Sequence, residues 1–176
     1  MKTEQKNDLL DILKMNEDER EIFLQQKVED FDIEYCRYVL LREYASFDSG
    51  CIGRGYMLAC MVIENPKCTT EMLKEYLSKH MYSILYPEPY INYQSIRAAL
   101  IHPNCPVDIL KLVLNRTNHE SQLFKNYNYY LDVFATKVIK NINLPNEDRI
   151  KYLNSNSTND EHKEEFKNKY LKFYSI

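Results

Sequence analysis

The sequence predicts an all-α fold, a short right-handed α-solenoid of about four helical pairs with capping helices. Two observations lead to this prediction. Residues 65–74 and 102–111 follow the same pattern at a spacing of 37 residues, a period typical of stacked helical pairs. The 176 residues also include only 3 glycines, which disfavours folds rich in tight turns and argues against glycine-rich phosphate-binding loops.

The clearest unit has two helices joined by a proline-containing turn. Residues 57–63 form an apolar helix that ends at Asn65, because a residue that precedes a proline, here Pro66, is pushed out of the α region. Cys68 is then expected at the N-cap of the second helix. The apolar face of that helix begins at Met72 and follows helical spacing.

The next unit repeats this pattern. Residues 96–101 form its first helix, and Pro103 ends it. Pro106 is expected at the first position of the second helix, where its missing N–H costs nothing. His102 takes the place of the turn asparagine and is interpreted as a turn or surface residue rather than a catalytic base.

Two weaker copies flank these units. The earlier one has its first helix over residues 18–27 and its second from Phe31 onward. The later one has its turn at residues 144–147, at a spacing of 39, and its apolar face is expected to resume at Ile150 after one further residue. A single domain over residues 1–176 therefore holds units at about 17–45, 53–83, 94–116 and 127–154, a short helix near 8–15 and a C-terminal cap over 159–174.

Charged residues recur at matching positions of the second helices. An acid lies in each first turn, where it meets the positive end of the helix dipole, and a base follows three or four residues later, within reach of that acid. The acids are Glu34, Glu71, Asp108 and Glu147, and the bases are Arg37, Lys74, Lys111 and Lys151. The favoured explanation of these charges is that they stabilise the helices electrostatically. The alternative is that the four bases form a stripe that binds a partner.

The two turn segments resemble those of bacterial HEAT-like and variant leucine-rich repeats. Residues 62–73 and 100–110 are similar to repeats that carry an Asn-Pro-Asn-Thr-Pro-type turn before the second helix. The recurring acid and base also resemble the ladder of charges along the second helices of HEAT repeats. The resemblance covers close to half the chain and departs in placing Cys where Thr usually caps. It implies the solenoid fold and a binding role, and it names no partner.

Catalytic and cofactor chemistry is not indicated. The five cysteines have no CxxC spacing, and the four histidines supply no close-spaced pair that would bind zinc or activate a thiol. The acidic run at residues 17–21 is interpreted as a helix N-terminus capped by Asn16 rather than as a metal site. We expect a protein that is not an enzyme, with reduced, buried cysteines and no cofactor or metal. Of the alternative functions, a glycosylase-like enzyme is the least favoured.

Composition also indicates where the protein acts. No run of 18 apolar residues is present, and residues 1–8 lack the apolar core of a signal peptide, so we expect a cytoplasmic protein that does not enter a membrane. Abundant Asn and Ile with no Trp are typical of AT-rich genomes and indicate a bacterial or phage origin. Residues 1–50 hold 7 basic and 13 acidic side chains, and residues 51–176 hold 16 basic and 13 acidic side chains. Neither part has the strong excess of basic residues that is typical of nucleic-acid-binding domains.

Tyrosines concentrate in the connections between helical pairs. Insertions between repeats often lie on the binding face of a solenoid, and tyrosine combines a large contact area with a hydroxyl. The equally weighted alternative is that these rings pack the connections onto the core. The candidate partner-binding residues are Arg37, Lys74, Lys111 and Lys151 on the second helices, with Tyr90, Tyr93, Arg97, Lys125, Tyr127 and Tyr129 in or beside the connections.

We therefore expect the protein to bind another protein and to act by occluding a surface of it, as a bacterial or phage inhibitor or immunity-type protein. Two alternatives stay open. A nucleic-acid binder would use the basic stripe to track phosphates and the tyrosines to stack bases. A structural subunit would bury an apolar surface in a homo-oligomer.

Overall fold

The computed structural model describes residues 12, 14–43, 54–85, 93–120 and 128–154, and within these ranges the chain is helical and contains no strand. The predicted all-α class is confirmed there. None of the described helices is long and apolar enough to cross a bilayer. The described helices are α1 Glu17–Glu29, α2 Ile33–Tyr38, α3 Arg54–Glu64, α4 Thr70–Lys79, α5 Met81–Leu85, α6 Gln94–Ile101, α7 Val107–Glu120, α8 Asn128–Ile139 and α9 Asn146–Asn154.

The chain divides into two compact units, residues 1–67 and 68–176. In the first unit α1 packs against α2 and α3, and α2 continues into a π-helical turn over Val39–Glu43 that also contacts α3. Its core is formed by apolar side chains of these elements that are almost completely buried, among them Leu24, Val28, Cys36, Val62 and Ile63.

Helix α1 has a defined start. The Asn16 side chain accepts a hydrogen bond from the Glu19 N–H at 2.9 Å, and the Glu19 carboxylate accepts one from the Asn16 N–H at 3.1 Å. This reciprocal capping box satisfies two backbone donors that the helix itself cannot pair. The predicted Asn16 cap is therefore confirmed.

Helix α1 ends with a left-handed residue. Phe31 has φ 53°, and its N–H donates to the Val28 carbonyl while the Asp32 N–H donates to the Lys27 carbonyl. This closure is usually made by glycine, because a side chain in the left-handed region costs about 1–2 kcal/mol. The Phe31 ring is only 7% exposed, so its burial offsets that cost.

In the second unit, corresponding helices of successive pairs pack on each other. The first helices α6 and α8 are in contact, and so are the second helices α7 and α9. Helix α7 also packs against α8, and α4 packs against α6, where the Tyr76 hydroxyl and the Ser95 hydroxyl form a buried hydrogen bond of 2.8 Å. The second helices α2, α4, α7 and α9 begin at residues 33, 70, 107 and 146, and these starts follow the predicted spacings of 37, 37 and 39.

Two capping predictions are wrong by one residue. The N-cap of α4 is Thr69, whose hydroxyl accepts from the Met72 N–H at 3.3 Å, and not Cys68. Pro106 precedes α7 rather than opening it, and its carbonyl accepts from the Leu110 N–H. The reason for the first shift is that the Cys68 side chain is fully buried, and a thiol is a weak acceptor that stabilises more as a small apolar group.

In the last copy, the prediction that the apolar face resumes at Ile150 is wrong. Ile150 is 43% exposed, and the buried face of α9 is formed without an extra residue by Arg149, Tyr152 and Leu153. Arg149 occupies the place that Leu110 has in α7. Its guanidinium donates to the Ile139 and Asn141 carbonyls at 2.9 Å each, and to the Asn146 side chain, so the charge is satisfied while its stem covers the core.

Several predicted helix boundaries differ from the structure or lie outside the described residues. Helix α3 begins at Arg54, three residues before the start at residue 57 that the sequence predicts. Helix α5, which contains Tyr82, is not predicted from the sequence. The short helix expected near residues 8–15 is described only at its C-terminal end, and the cap expected over 159–174 lies outside the described residues.

Candidate partner-binding surface

Three turns close with the same side-chain hydrogen bond. In each, the side chain of the first turn residue accepts from the backbone N–H two residues later, which mimics a backbone turn. The bonds are Asn65 Oδ1 with the Lys67 N–H at 2.9 Å, His102 Nδ1 with the Asn104 N–H at 3.0 Å, and Asn141 Oδ1 with the Asn143 N–H at 2.8 Å. His102 is therefore a turn residue, as predicted, and its ring is buried rather than exposed.

Asn141 joins the last turn of the second unit to the turn before it. Its side chain is completely buried, and its amide donates to the Leu100 carbonyl at 2.7 Å and the His102 carbonyl at 3.0 Å. These carbonyls lie at the end of α6, where no further helical N–H is available to them. One asparagine thereby caps the preceding helix and fixes the register of two helical pairs.

Two further asparagines make similar connections. Asn104 donates from its side-chain amide to the Cys68 carbonyl at 2.8 Å, and Asn143 donates to the Pro103 carbonyl. Each bond crosses from one turn of the second unit to the previous one. Sequence reasoning missed these residues, although the repeated asparagine two residues after the first turn position could have indicated them.

The lysines of the second helices pair with acids of the following helix. Lys74 Nζ lies 3.8 Å from Asp108 Oδ2, and Lys111 Nζ lies 2.9 Å from Asp148 Oδ2. The hydrogen-bonding contact with Asp148 raises the pKa of Lys111 above its ordinary value. Lys74 and Lys111 therefore pair with an acid of another helix and not with the predicted acid of their own helix.

Two aliphatic side chains lie exposed among these ion pairs. Leu112 on α7 and Ile150 on α9 are each 43% exposed, and the Lys111–Asp148 pair joins the same two helices. We call a set of exposed and half-buried residues of α4, α7 and α9 the second-helix face. It contains Lys74, Asp108, Lys111, Leu112, Asp148, Ile150 and Lys151.

The remaining predicted site residues differ in their exposure. Lys151 lies exposed on α9, and Arg37 is half-buried on α2 in the first unit. Tyr93 is only 1% exposed, and its ring packs edge-on against Phe134 at a centroid distance of 5.2 Å, which agrees with the alternative that such rings pack onto the core. Tyr129 lies in α8 with its side chain outside the description, and Tyr90, Lys125 and Tyr127 lie outside the described residues.

A second group of basic residues lies on the first helices. Arg97 on α6 is half-buried, and its Nε is buried without a hydrogen-bond partner. Burial lowers the pKa of Lys137 on α8, and the charges of Lys140 and Arg97 lower it further. Arg97 was predicted as a site residue, whereas Lys137 carries no sequence signal beyond its charge.

The nucleophiles and bases with perturbed pKa values are buried. Burial raises the pKa of Cys68 to about 11, and burial together with Asp108 raises the pKa of Cys105 to about 12, so both thiols stay protonated and unreactive. Burial, with a smaller effect of Lys79, lowers the pKa of His80 to about 4 and keeps that ring neutral. Within the described ranges no three His, Cys, Asp or Glu side chains come together in a way that could hold a metal ion.

Comparison of the chain with protein-family models, with curated proteins and with solved structures finds no match. The chemistry of the second-helix face is therefore judged from its geometry. Lys74 and Lys111 are each paired with an aspartate, and Leu112 and Ile150 are each 43% exposed. Such a surface offers shape and mixed polarity to a partner.

Proposed function

We propose that this protein is a HEAT-like helical-repeat protein that binds another protein through the second-helix face, and that it is not an enzyme. The observation that carries the proposal is the pairing of Lys74 and Lys111 with aspartates on the neighbouring helices, beside the exposed Leu112 and Ile150. By covering a surface of its partner, the protein would act as a bacterial or phage inhibitor or immunity-type protein.

The charge pairing favours a protein partner over a nucleic acid. A surface that tracks phosphates needs unpaired lysines and arginines, because affinity for a polyanion comes largely from the counterions that those charges displace. Lys74 and Lys111 are each neutralised by a carboxylate of this chain. A non-obligate protein interface, by contrast, has about the polarity of ordinary protein surface. The exposed Lys74–Asp108 pair contributes little to folding stability, so a partner can rearrange it at small cost.

The packing of the second unit supports the helical-repeat part of the proposal. Contacts of first helix with first helix, and of second helix with second helix, are those expected when helical pairs stack. The recurring turn hydrogen bond gives each pair the same connection. A right-handed solenoid built in this way would place its second helices side by side as one continuous surface.

The buried thiols support a cytoplasmic site of action. Cys36, Cys60, Cys68 and Cys105 are all buried and unbridged. Disulfides form and persist in oxidising compartments, and a chain that keeps this many cysteines as free thiols fits a reducing one.

Affinity capture tests the proposal. The tagged protein is incubated with lysate of the organism that encodes it, with and without nuclease, and bound material is identified by mass spectrometry. We expect a stoichiometric protein partner that survives nuclease and is lost from the Leu112→Asp/Ile150→Asp variant. The matched control is Ile22→Asp, which places a charge on a 70% exposed aliphatic residue of the first unit and should retain the partner.

Other outcomes would favour another function. Recovery of nucleic acid, with loss of every protein after nuclease, would contradict the proposal and favour nucleic-acid binding. Recovery of only this chain, together with a multimeric mass in solution, would favour a structural homo-oligomer.

A further inference from the structure

Two turns of the second unit share one register. The turn after α6 begins at His102 and the turn after α8 begins at Asn141, because the side chain of each accepts a hydrogen bond from the N–H two residues later. Leu100 and Ile139 each lie two residues before that first turn residue. The backbone carbonyls of residues 100 and 102 therefore correspond to those of residues 139 and 141.

At the turn after α6, the donor comes from the following helical pair. The side-chain amide of Asn141 donates to the Leu100 carbonyl at 2.7 Å and to the His102 carbonyl at 3.0 Å. Carbonyls at the end of a helix lack an N–H partner in their own helix, and a buried carbonyl without a donor destabilises the fold. This helical pair therefore depends on the next pair to satisfy its turn.

At the turn after α8, the donor comes from the same helical pair. The guanidinium of Arg149 on α9, a residue only 2% exposed, donates to the Ile139 and Asn141 carbonyls at 2.9 Å each. Arg149 is the fourth residue of α9, and the fourth residue of α7 is Leu110, which has no side-chain donor. Arginine thus lies where the preceding pair has leucine, and it supplies the donors that the preceding pair receives from its neighbour.

We propose that Arg149 ends the array of helical pairs by taking the place of the turn asparagine of a further pair. Its planar fork presents several N–H groups in a fixed geometry, so one side chain can bond two carbonyls at once. A further helical pair, or a second copy of the chain, would find both carbonyls already bonded at this turn. This role rests on the helical-repeat part of the proposed function and not on protein binding, so a failed affinity capture would leave it intact.

Transplanting the arginine to α7 tests the proposal in the full chain. Asn141→Ala removes the donors at the turn after α6, and Leu110→Arg then introduces a guanidinium at the equivalent position of that pair. The double variant should have a higher urea midpoint than Asn141→Ala alone, by roughly half of what Asn141→Ala loses. With Asn141 in place, Leu110→Arg should instead lower the midpoint, because the carbonyls already have a donor and the buried charge gains no partner.

Two further variants separate hydrogen bonding from packing. Leu110→Met occupies the same place without a donor, and it should recover none of the midpoint in the Asn141→Ala background. Arg149→Leu gives α9 the residue of α7, and it should lower the midpoint and reduce the exchange protection of amides 140–144 roughly tenfold. A Leu110→Arg/Asn141→Ala chain that is unfolded or no more stable than Asn141→Ala would overturn the proposal. Equal recovery with Leu110→Met, or an Arg149→Leu chain as stable as the wild type, would overturn it too.

Discussion

Replacing Asn141 by alanine should destabilise the second unit by roughly 3 kcal/mol. The wild-type side chain makes three hydrogen bonds, two from its amide to the Leu100 and His102 carbonyls and one to its oxygen from the Asn143 N–H. Each bond contributes about 1 kcal/mol, and the cost is fully felt because Asn141 is 0% exposed and water cannot replace the lost donor.

The assay is urea denaturation followed by far-ultraviolet circular dichroism. With a denaturant dependence of roughly 1–3 kcal/mol per molar urea, the midpoint of the second unit should fall by about 1–3 M. Amide hydrogen exchange should lose protection at residues 100–104 and 141–143 before the helix interiors do.

A matched variant makes this prediction refutable. Asn104→Ala removes the side chain of another turn asparagine that makes one such bond, to the Cys68 carbonyl, and should cost only about 1 kcal/mol. Asn141→Asp keeps the size and the acceptor but loses both donors, so it should cost nearly as much as alanine. If Asn141→Ala and Asn104→Ala have equal effects, the argument that Asn141 holds two helical pairs in register is wrong.

Three further predictions concern other sites. Burial, with a smaller effect of Lys79, lowers the pKa of His80 to about 4, whereas in the unfolded chain this histidine has a pKa near 6.5. Between these two pH values the unfolded state binds more protons than the folded state, so the free energy of unfolding should decrease as the pH falls. Chemical denaturation should show roughly 2 kcal/mol lost between pH 7 and pH 5, with a flatter dependence in His80→Phe, and equal slopes would contradict the burial argument. Phe31→Gly should be about 1 kcal/mol more stable than Phe31→Ala by urea melting, because only glycine adopts φ 53° without strain, and the reverse order would refute strain at this position. Asp148→Asn should lower the pKa of Lys111 in an ammonium-detected titration, and an unchanged value would show that the ion pair is not formed in solution.

Local signals in the sequence located the helices well. Asn65-Pro66 and His102-Pro103 end helices through the conformational restriction that a proline imposes on its predecessor, which acts within two residues. Asn16 caps α1 through neighbouring backbone groups. These features were predictable because their causes lie in adjacent residues.

The candidate surface was harder to predict because its features depend on distant contacts. Lys74 pairs with Asp108 rather than with Glu71 because α7 is stacked beside α4, and no local pattern encodes that choice. Tyr93 resembles an exposed loop tyrosine in sequence, and its ring packs against Phe134, which lies in another helix. Arg149 occupies a core position because two carbonyl groups at the end of α8 accept its hydrogen bonds.

Site-specific photocrosslinking tests protein binding by the second-helix face most directly. A photoreactive phenylalanine is placed at Leu112 or Ile150, with Gln94, an exposed residue of the first helix α6, as the control position. After irradiation in nuclease-treated lysate, we expect the same protein adduct from positions 112 and 150 and none from position 94. An adduct from position 94 alone, or the same adduct from all three positions, would contradict the assignment of this face.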